Sequence, residues 1–420
     1  MSQSDTDKKT SEKQHFTSNI VHFDRDMPHA NGAIHYPIHP STQYTFSDVD
    51  ELIGVFQGKT KGNSPYSRQG TPTTAVLEAK LAEIEGGDGA VAFATGMAAI
   101  TATFLTLLKS GDHIVVSKYL FGNTASFFNT LEDFGIEVSR VDAGNVANVA
   151  SELKSNTRMV FVETVANPGT QIPDLMAIGQ LCEQRKVIYI VDNTILSPYL
   201  FKPKDVKASL VIHSLTKSVA GQGQILGGVV INTGLYDWST YPNIFDNYRT
   251  GDPNKWGLFQ IRKKGLRDMG ATLTSQSAHM ISLGLETLAI RADRSSESAL
   301  AITDFLVKHP KVAKVNYPLH VSHENHEQAK QLFKAGSWLL SFELNDTEDC
   351  LAFVDRLKVF IKATGLGDSR SLIIPVAPTI FWEMGAQKRA QMNIKDNLIR
   401  LSIGLEECEC LIADLAAALE

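Results

Sequence analysis

An α/β fold is what this chain predicts: a large, mostly parallel sheet followed by a smaller C-terminal α/β domain. Three observations predict it. Short apolar runs alternate with helical patterns between about residues 61 and 274, as in a parallel sheet covered on both faces. A chain of 420 residues can bury two sizeable cores. A long helical pattern begins near Ser275 and runs towards His309. Beyond it, residues 275–420 carry further strand and helix patterns that make a second, smaller unit.

Residues 1–60 read as a tail and an arm. Met1 to Lys13 is polar and charged, with neither the apolar centre of a signal peptide nor enough apolar residues to order it. Asn31-Gly32 marks a turn, and Pro28, Pro37 and Pro40 discourage a long helix. Five histidines in this stretch (His15, His22, His29, His35, His39) fit no metal spacing. After a Gly-Asn-Ser-Pro turn come Tyr66-Ser67-Arg68. Thr71-Pro72 then opens a helix, with Thr as the cap and Pro in the first turn. Leu77, Leu81 and Ile84 set its inner face, and Gly86-Gly87 stops it.

The strands follow in order. Ala90 to Ala94 runs into Thr95-Gly96-Met97, a direct strand-to-helix turn whose free N–H groups suit a phosphate. His113 to Val116 is the next strand, and Phe127, Phe128, Leu131 and Phe134 give an aromatic helix face. Met159 to Glu163 and Val187 to Val191 follow, the latter delivering Asp192 at its carboxyl end. Leu210 to Ile212 delivers His213-Ser214-Leu215-Thr216-Lys217 in the same way, ahead of a glycine-rich stretch at 221–228. Ligands of open α/β sheets sit outside such strand ends. A lysine flanked by hydroxyls suits an imine to an aldehyde cofactor, with the hydroxyls free for its phosphate. A buried Asp needs a partner, and a pyridinium nitrogen is one. Tyr236 to Arg262 is a long aromatic insertion, expected to line or lid the substrate entrance because long loops in compact domains are often functional. His320, His323 and His326 are read as a solvated helix start, not a metal site.

Composition narrows the class. Apolar residues are 43%, charged residues 20% and the net charge −6, which argues against a nucleic-acid surface and against a polybasic membrane patch. No apolar stretch is long enough to span a bilayer. The four cysteines, Cys182, Cys350, Cys408 and Cys410, form no CxxC pair. They read as reduced thiols of a cytoplasmic protein.

The series Tyr66-Ser67-Arg68, Thr95-Gly96-Met97, Glu163 with Asn167-Pro168, Val191-Asp192-Asn193-Thr194, His213 to Lys217, Gly284-Leu285-Glu286-Thr287-Leu288 and Arg400 to Gly404 resembles the Cys/Met-metabolism family of pyridoxal-phosphate enzymes. That family contains cystathionine γ-synthases, cystathionine and methionine lyases and O-acylhomoserine sulfhydrylases. The resemblance spans about residues 20–420 and implies a fold-type I architecture, pyridoxal 5'-phosphate as cofactor and a homotetramer built as a dimer of dimers. It implies that Lys217 holds the cofactor covalently and later moves protons, and that Asp192 faces the ring nitrogen. Gly96, Met97, Ser214 and Thr216 would cradle the phosphate, with Tyr66 and Arg68 reaching it from the neighbouring subunit. Arg400 would grip the substrate α-carboxylate, and Asn167 would sit near the phenolic oxygen of the cofactor.

Departures from the family pattern bear on the reaction. Where many members carry Tyr-Gly, this chain has Phe121-Gly122: the stacking face is kept and the acid is lost. A carboxylate leaves as the anion of an acid of pKa about 4, a thiolate as that of one near 8.5. The expectation is therefore γ-replacement on an O-acylhomoserine by cysteine or sulfide, with C–S lyase action on methionine, cystathionine or homocysteine as the alternative. The Phe-Gly pair and the Gly221-Gln222-Gly223 loop also resemble those of O-succinylhomoserine sulfhydrylases. Gly365 replaces a frequent serine near the substrate carboxylate, and Asn123 stands where lyases often have a cysteine.

Overall fold

The computed structural model describes residues 15–25, 27, 29–57, 59 and 65–420. The Met1–Lys13 tail, Pro28 and the turn at 62–64 lie outside the described residues.

The large domain is built on a seven-stranded sheet. Its strands are β1 (Gly89–Phe93), β2 (His113–Ser117), β3 (Glu137–Val141), β4 (Thr157–Glu163), β5 (Ile188–Asp192), β6 (Leu210–Ser214) and β7 (Gly228–Asn232). Their spatial order is β1-β7-β6-β5-β4-β2-β3. The run from β3 to β6 is parallel, and β7 enters antiparallel to both β6 and β1. Consecutive residues serve opposite faces, as a strand requires. Val160, Val191 and Val211 belong to one core, while Phe161, Ile190 and Ile212 belong to the other. Covering both faces explains why these strands read as continuous apolar runs.

Helices α1 (Pro72–Glu85), α2 (Gly96–Leu107), α3 (Gly122–Asp133) and α4 (Leu175–Arg185) belong to this domain. Thr71 caps α1 by accepting from the Thr74 N–H, and Gly86 ends it at φ 72°. In α3 the expected aromatic face is shorter than the spacing suggested. Phe128 and Leu131 are buried, but Phe134 lies past the last turn and is 58% exposed.

The insertion does not lid this chain's own site, which corrects the sequence expectation. Trp238, Tyr241 and Tyr248 are buried in the second core. The Tyr241 hydroxyl donates to the Leu107 carbonyl at 2.5 Å, and Gln260 donates to that of Thr106 at 2.6 Å. The segment thus caps the carboxyl end of α2, whereas the ligand cavity meets the amino end. Most of its aromatics are spent on packing, while Phe245 and Phe259 stay 45% and 37% exposed.

The expected long helix from Ser275 is two helices, α5 (Ser275–Glu286) and α6 (Leu288–Val307), broken at Thr287. Along α6 the side chains change cores: Leu288 and Ala292 join the large domain, while Ala299, Ile302 and Leu306 join the small one. The second sheet holds β8 (Val312–Asn316), β9 (Leu339–Leu344), β10 (Ile361–Lys362), β11 (Leu372–Pro375) and β12 (Leu398–Ser402) in the order β10-β11-β12-β9-β8. All its pairings are antiparallel except β10 with β11. Helix α7 (Cys408–Leu419) packs on it through Leu411 and Leu415. The expected solvated histidine trio is also corrected. His323 is buried, within 3.1 Å of the Thr170 hydroxyl, and burial lowers its pKa to about 4. The helix there starts only at His326.

One close approach makes the packing testable. A Cβ on Gly179 of α4 would stand 1.9 Å from the Val206 carbonyl oxygen. Alanine gains about 1 kcal/mol in helix propensity, but a backbone oxygen cannot yield, and overpacking costs about 3 kcal/mol. Gly179→Ala should therefore lower the unfolding midpoint in urea; an unchanged or raised midpoint would show that α4 can slide.

Candidate active site

The strand ends converge because glycine removes side chains where backbones meet. Gly228 on β7 lies opposite both Phe93 and Ser214, and a Cβ there would stand 2.1 Å from the Thr95 carbonyl oxygen. A Cβ on Gly96 would fall 2.7 Å from the Ser214 Cβ. The start of α2 is thus pressed against the end of β6. Thr95 caps α2 by accepting only the Ala98 N–H, so the first N–H groups remain available to an anion, with the helix dipole behind them.

A cavity of about 650 Å³ opens here. Gly96, Met97, Phe121, Asn167, Asp192, Ser214, Thr216, Lys217 and Arg400 all line it. Gly365 lies one contact away, its carbonyl accepting from Arg400 Nη2 at 3.3 Å. A Cβ at that position would come within 2.9 Å of Leu372 Cδ1, so a serine would require Leu372 to move. Tyr66 and Arg68 do not line the cavity of their own chain. Arg68 stacks over the Tyr66 ring at 5.4 Å and donates to the Arg267 carbonyl at 2.8 Å.

Sequence reasoning missed several lining residues. Thr194 passed as part of the Asp192 motif, yet it organises the floor: its N–H donates to Asp192 Oδ1 at 2.9 Å, and its Oγ1 accepts from the Ser214 N–H at 2.8 Å. Glu163 carries no role in the sequence motif; it pairs with Asp192 in the β4/β5 register, and its Oε1 accepts from the Phe121 N–H at 2.9 Å. Ile380, Trp382 and Glu383 form part of the rim, and no motif marks them. Arg291, buried on α6, donates to the carbonyls of Ser218, Val219 and Gly284 and so pins the turn after Lys217.

The electrostatics are those of charges taken out of water. Burial raises the pKa of Asp192, while Thr194, His213 and Lys217 pull it back down. Burial lowers the pKa of Lys217, Arg400 lowers it further, and Asp192 opposes them. Burial brings Arg400 down to about 9. Its guanidinium is tied to Asn167 Oδ1 and the carbonyls of Thr364 and Gly365, but its Nε has no partner. An unsatisfied buried donor of this kind fits a carboxylate ligand. Glu163 is pushed up to about 8, first by burial and then by Asp192, against the Phe121 N–H.

The residues fit a cofactor with a phosphate, an aldehyde and a basic ring nitrogen. The open start of α2 and the Ser214 hydroxyl suit the phosphate, Lys217 the aldehyde, and a half-buried Asp192 the protonated ring. Thr216 is the least free of the expected cradle, since its hydroxyl accepts from the Gly227 N–H at 3.1 Å and donates to the Gly227 carbonyl at 3.3 Å. Together, fold and site define a pyridoxal-phosphate enzyme of the fold-type I class.

The chain belongs to the Cys/Met metabolism PLP-dependent enzyme family, whose model matches residues 17–420. It is 38% identical to an L-methionine gamma-lyase of Fusobacterium nucleatum subsp. polymorphum over 93% of this chain and 94% of that one. It is 33% identical to an O-acetyl-L-homoserine sulfhydrylase of Leptospira meyeri, with 91% and 92% covered. Among solved structures, a Campylobacter jejuni chain assigned as an O-acetylhomoserine (thiol)-lyase superposes with a TM-score of 0.91 at 33% identity, covering 96% of this chain and 99% of that one. That structure carries N'-pyridoxyl-lysine-5'-monophosphate. The chain is accordingly a PLP-dependent enzyme of sulfur amino-acid metabolism.

The Glu163 carboxyl yields a pH test. Its proton is held more tightly in the folded chain than in the unfolded one between about 4.5 and about 8, so this group makes stability fall as pH rises through that window. Glu163→Gln is neutral throughout. Its melting temperature should gain on that of the parent from about pH 5 to about pH 8 and stay level beyond. A gap that does not change with pH would contradict the assignment.

Proposed function

We propose that this enzyme catalyses γ-replacement on an O-acylated homoserine, with cysteine or sulfide as the incoming thiol. The observation that carries the reading is Phe121. It lines the cavity, and its N–H is held by Glu163, so the site presents an aromatic face without a phenolic proton. A leaving carboxylate, from an acid of pKa about 4, needs little acid help; a leaving thiolate needs more.

Bound pyridoxal phosphate supplies an aldehyde that captures the substrate amine and a cationic ring that draws charge from the substrate carbon. The chain's own residues do the rest. The N–H groups of Gly96 and Met97, with Ser214 and Thr216, receive the phosphate, and Tyr66 and Arg68 of a neighbouring copy complete that cradle. Asp192 stays anionic and keeps the ring nitrogen protonated. Asn167 holds the Arg400 guanidinium, which grips the substrate α-carboxylate through its free Nε. The Lys217 amine, whose ammonium is disfavoured by burial and by Arg400, is the base. It takes the proton from Cα, gives it up, and takes one from Cβ; the Cγ–O bond breaks and the carboxylate leaves, and the thiol bonds to Cγ through its sulfur as it gives up its own proton. Lys217 then returns the protons. With Tyr66 and Arg68 acting across subunits, a dimer is the smallest complete unit, within the homotetramer, a dimer of dimers, that the family resemblance implies.

A second reading is C–S lyase action, favoured by the 38% identity to a methionine gamma-lyase. The two differ in whether ammonia and a 2-oxo acid appear without an added thiol. The deciding panel is O-acetyl-, O-succinyl- and O-phosphohomoserine, each with cysteine and with sulfide, beside methionine and cystathionine alone. Thiol-dependent thioether or homocysteine formation should be the fastest reaction; faster ammonia release from methionine or cystathionine alone would replace this reading by the second.

Two variants test the residue roles. Lys217→Ala should lose turnover by at least about a thousandfold and lose the absorbance of the lysine-bound cofactor; undiminished turnover would remove Lys217 from the chemistry. Phe121→Tyr should raise methionine and cystathionine cleavage roughly tenfold or more relative to ester use. No change in that ratio would show that acid help at this position does not decide the leaving group.

A further inference from the structure

The rim of the cavity is chemically unlike its floor. Leu226 and Trp382 line it and are 59% and 68% exposed. Large apolar side chains left in solvent at the mouth of a binding cavity mark a contact surface. Trp382 is held there by a small core of its own. Phe381, next in the chain, is 1% exposed and packs with Val376, Ala377, Ile394 and Leu398. One aromatic anchors the segment and the other overhangs the cavity. The Trp382 N–H donates to the Thr379 carbonyl at 3.0 Å and its carbonyl accepts from the Gly385 N–H at 3.2 Å, so its backbone is fixed in a turn. The Ile380 carbonyl oxygen lies 3.7 Å from the position a Cβ would take on Gly122, which sets this segment beside Phe121.

The charges of the cavity are unevenly placed. Among the described residues that line it, the cations are Lys217 and Arg400, and the proposed reaction engages both. The rim itself brings a carboxylate, the exposed Glu383. A γ-substituent reaching the rim therefore meets an indole, aliphatic side chains and a negative charge.

We propose that this rim selects an uncharged, largely apolar γ-substituent, such as an acetyl or propionyl ester, against succinyl or phosphoryl esters, with Trp382 and Glu383 as specificity-determining residues. The inference rests on the γ-replacement reading. A succinyl group would place its free carboxylate against Trp382 and beside Glu383, losing water without gaining a partner. Trp382 offers a neutral ester a flat apolar face instead. The Gly221-Gln222-Gly223 loop, which resembles that of succinyl-using relatives, does not line the cavity; from that glycine-rich stretch it is Leu226 that reaches the rim.

The test uses the cofactor-loaded enzyme and two readouts. One is the dissociation constant of each ester, from the change in cofactor absorbance without thiol; the other is kcat/KM with sulfide. O-acetylhomoserine should bind, and react, at least about tenfold better than O-succinylhomoserine at low salt, with the gap shrinking as salt screens Glu383. Glu383→Lys should improve O-succinylhomoserine several-fold relative to O-acetylhomoserine. Trp382→Ala should weaken binding of the acetyl ester and erase most of the preference. Equal or tighter binding of the succinyl ester overturns the inference while leaving γ-replacement intact. Tight acetyl-ester binding without any thiol-dependent product, together with methionine cleavage, overturns γ-replacement and leaves the rim's selectivity standing. If Trp382→Ala changes the sedimentation of the assembly and not the ester preference, the indole covers a subunit contact and the inference fails.

Discussion

The site depends on one constraint: a carboxylate stands in a cavity wall, away from bulk water, where a cation placed against it favours its charge. Asp192 is half-buried at the end of β5, and desolvation raises its pKa. Thr194 and the side chains of His213 and Lys217 favour the charged form, and a bound cationic ring would do the same. Lys217 has the opposite problem, since burial and Arg400 both disfavour its ammonium. The two distortions serve one purpose. A carboxylate that a positive ring would steady and an amine whose ammonium is disfavoured are what proton removal from a substrate carbon requires. Glu163, one strand away, fits the same logic. With Asp192 charged, a second, half-buried carboxylate holds its proton to about 8, so it positions the Phe121 backbone without adding negative charge.

Below this layer lies another buried polar group. His213 Nε2 stands 2.8 Å from Glu85 Oε1, and the Asn193 amide bonds to that same oxygen and to the carbonyls of Ser197 and Phe201. These residues follow immediately on the residues that pair between β5 and β6, so they face away from the cavity while sharing its strands. The arrangement ties α1, through Glu85, to the strand ends that carry Asp192 and Ser214. Loosening that tie would move the floor of the site without touching a residue that lines it.

Much of this was legible in the sequence because sheet geometry turns order along the chain into position in space. Each strand of the parallel run ends on the same edge, so Asp192 after β5 and Ser214 to Lys217 after β6 had to meet. Gly96 after β1 came to the same place through Gly228, since β7 lies between the two strands. What was not legible depends on long-range packing. The aromatic insertion looked like a lid because loops with exposed aromatics often are; only the third dimension shows Trp238 and Tyr241 buried against the end of α2. The histidine trio looked solvated because its neighbours are acidic and amide side chains, yet His323 turns inward to Thr170. The second sheet was hard to read because β10 has two residues and β11 four, too few for a period to emerge. Glu163 stood in plain view, but its role needed the register that sets it beside Asp192 and the loop that brings Phe121 to it.

Floor and rim are built by different means, and a change in one reaches further than a change in the other. The floor is made of strand ends and a helix start, whose positions follow from backbone hydrogen bonds and from two glycines that admit no side chain. A change there moves several groups at once. The rim is made of single side chains on turns: Leu226 in the glycine-rich loop and Ile380, Trp382 and Glu383 on a segment with a core of its own. Such residues can be exchanged without disturbing Asp192, Lys217 or Arg400. A methionine gamma-lyase at 38% identity and an O-acetylhomoserine sulfhydrylase at 33% can therefore both resemble one chain. The difference among them is then to be sought above the ring, at Phe121 and along the rim.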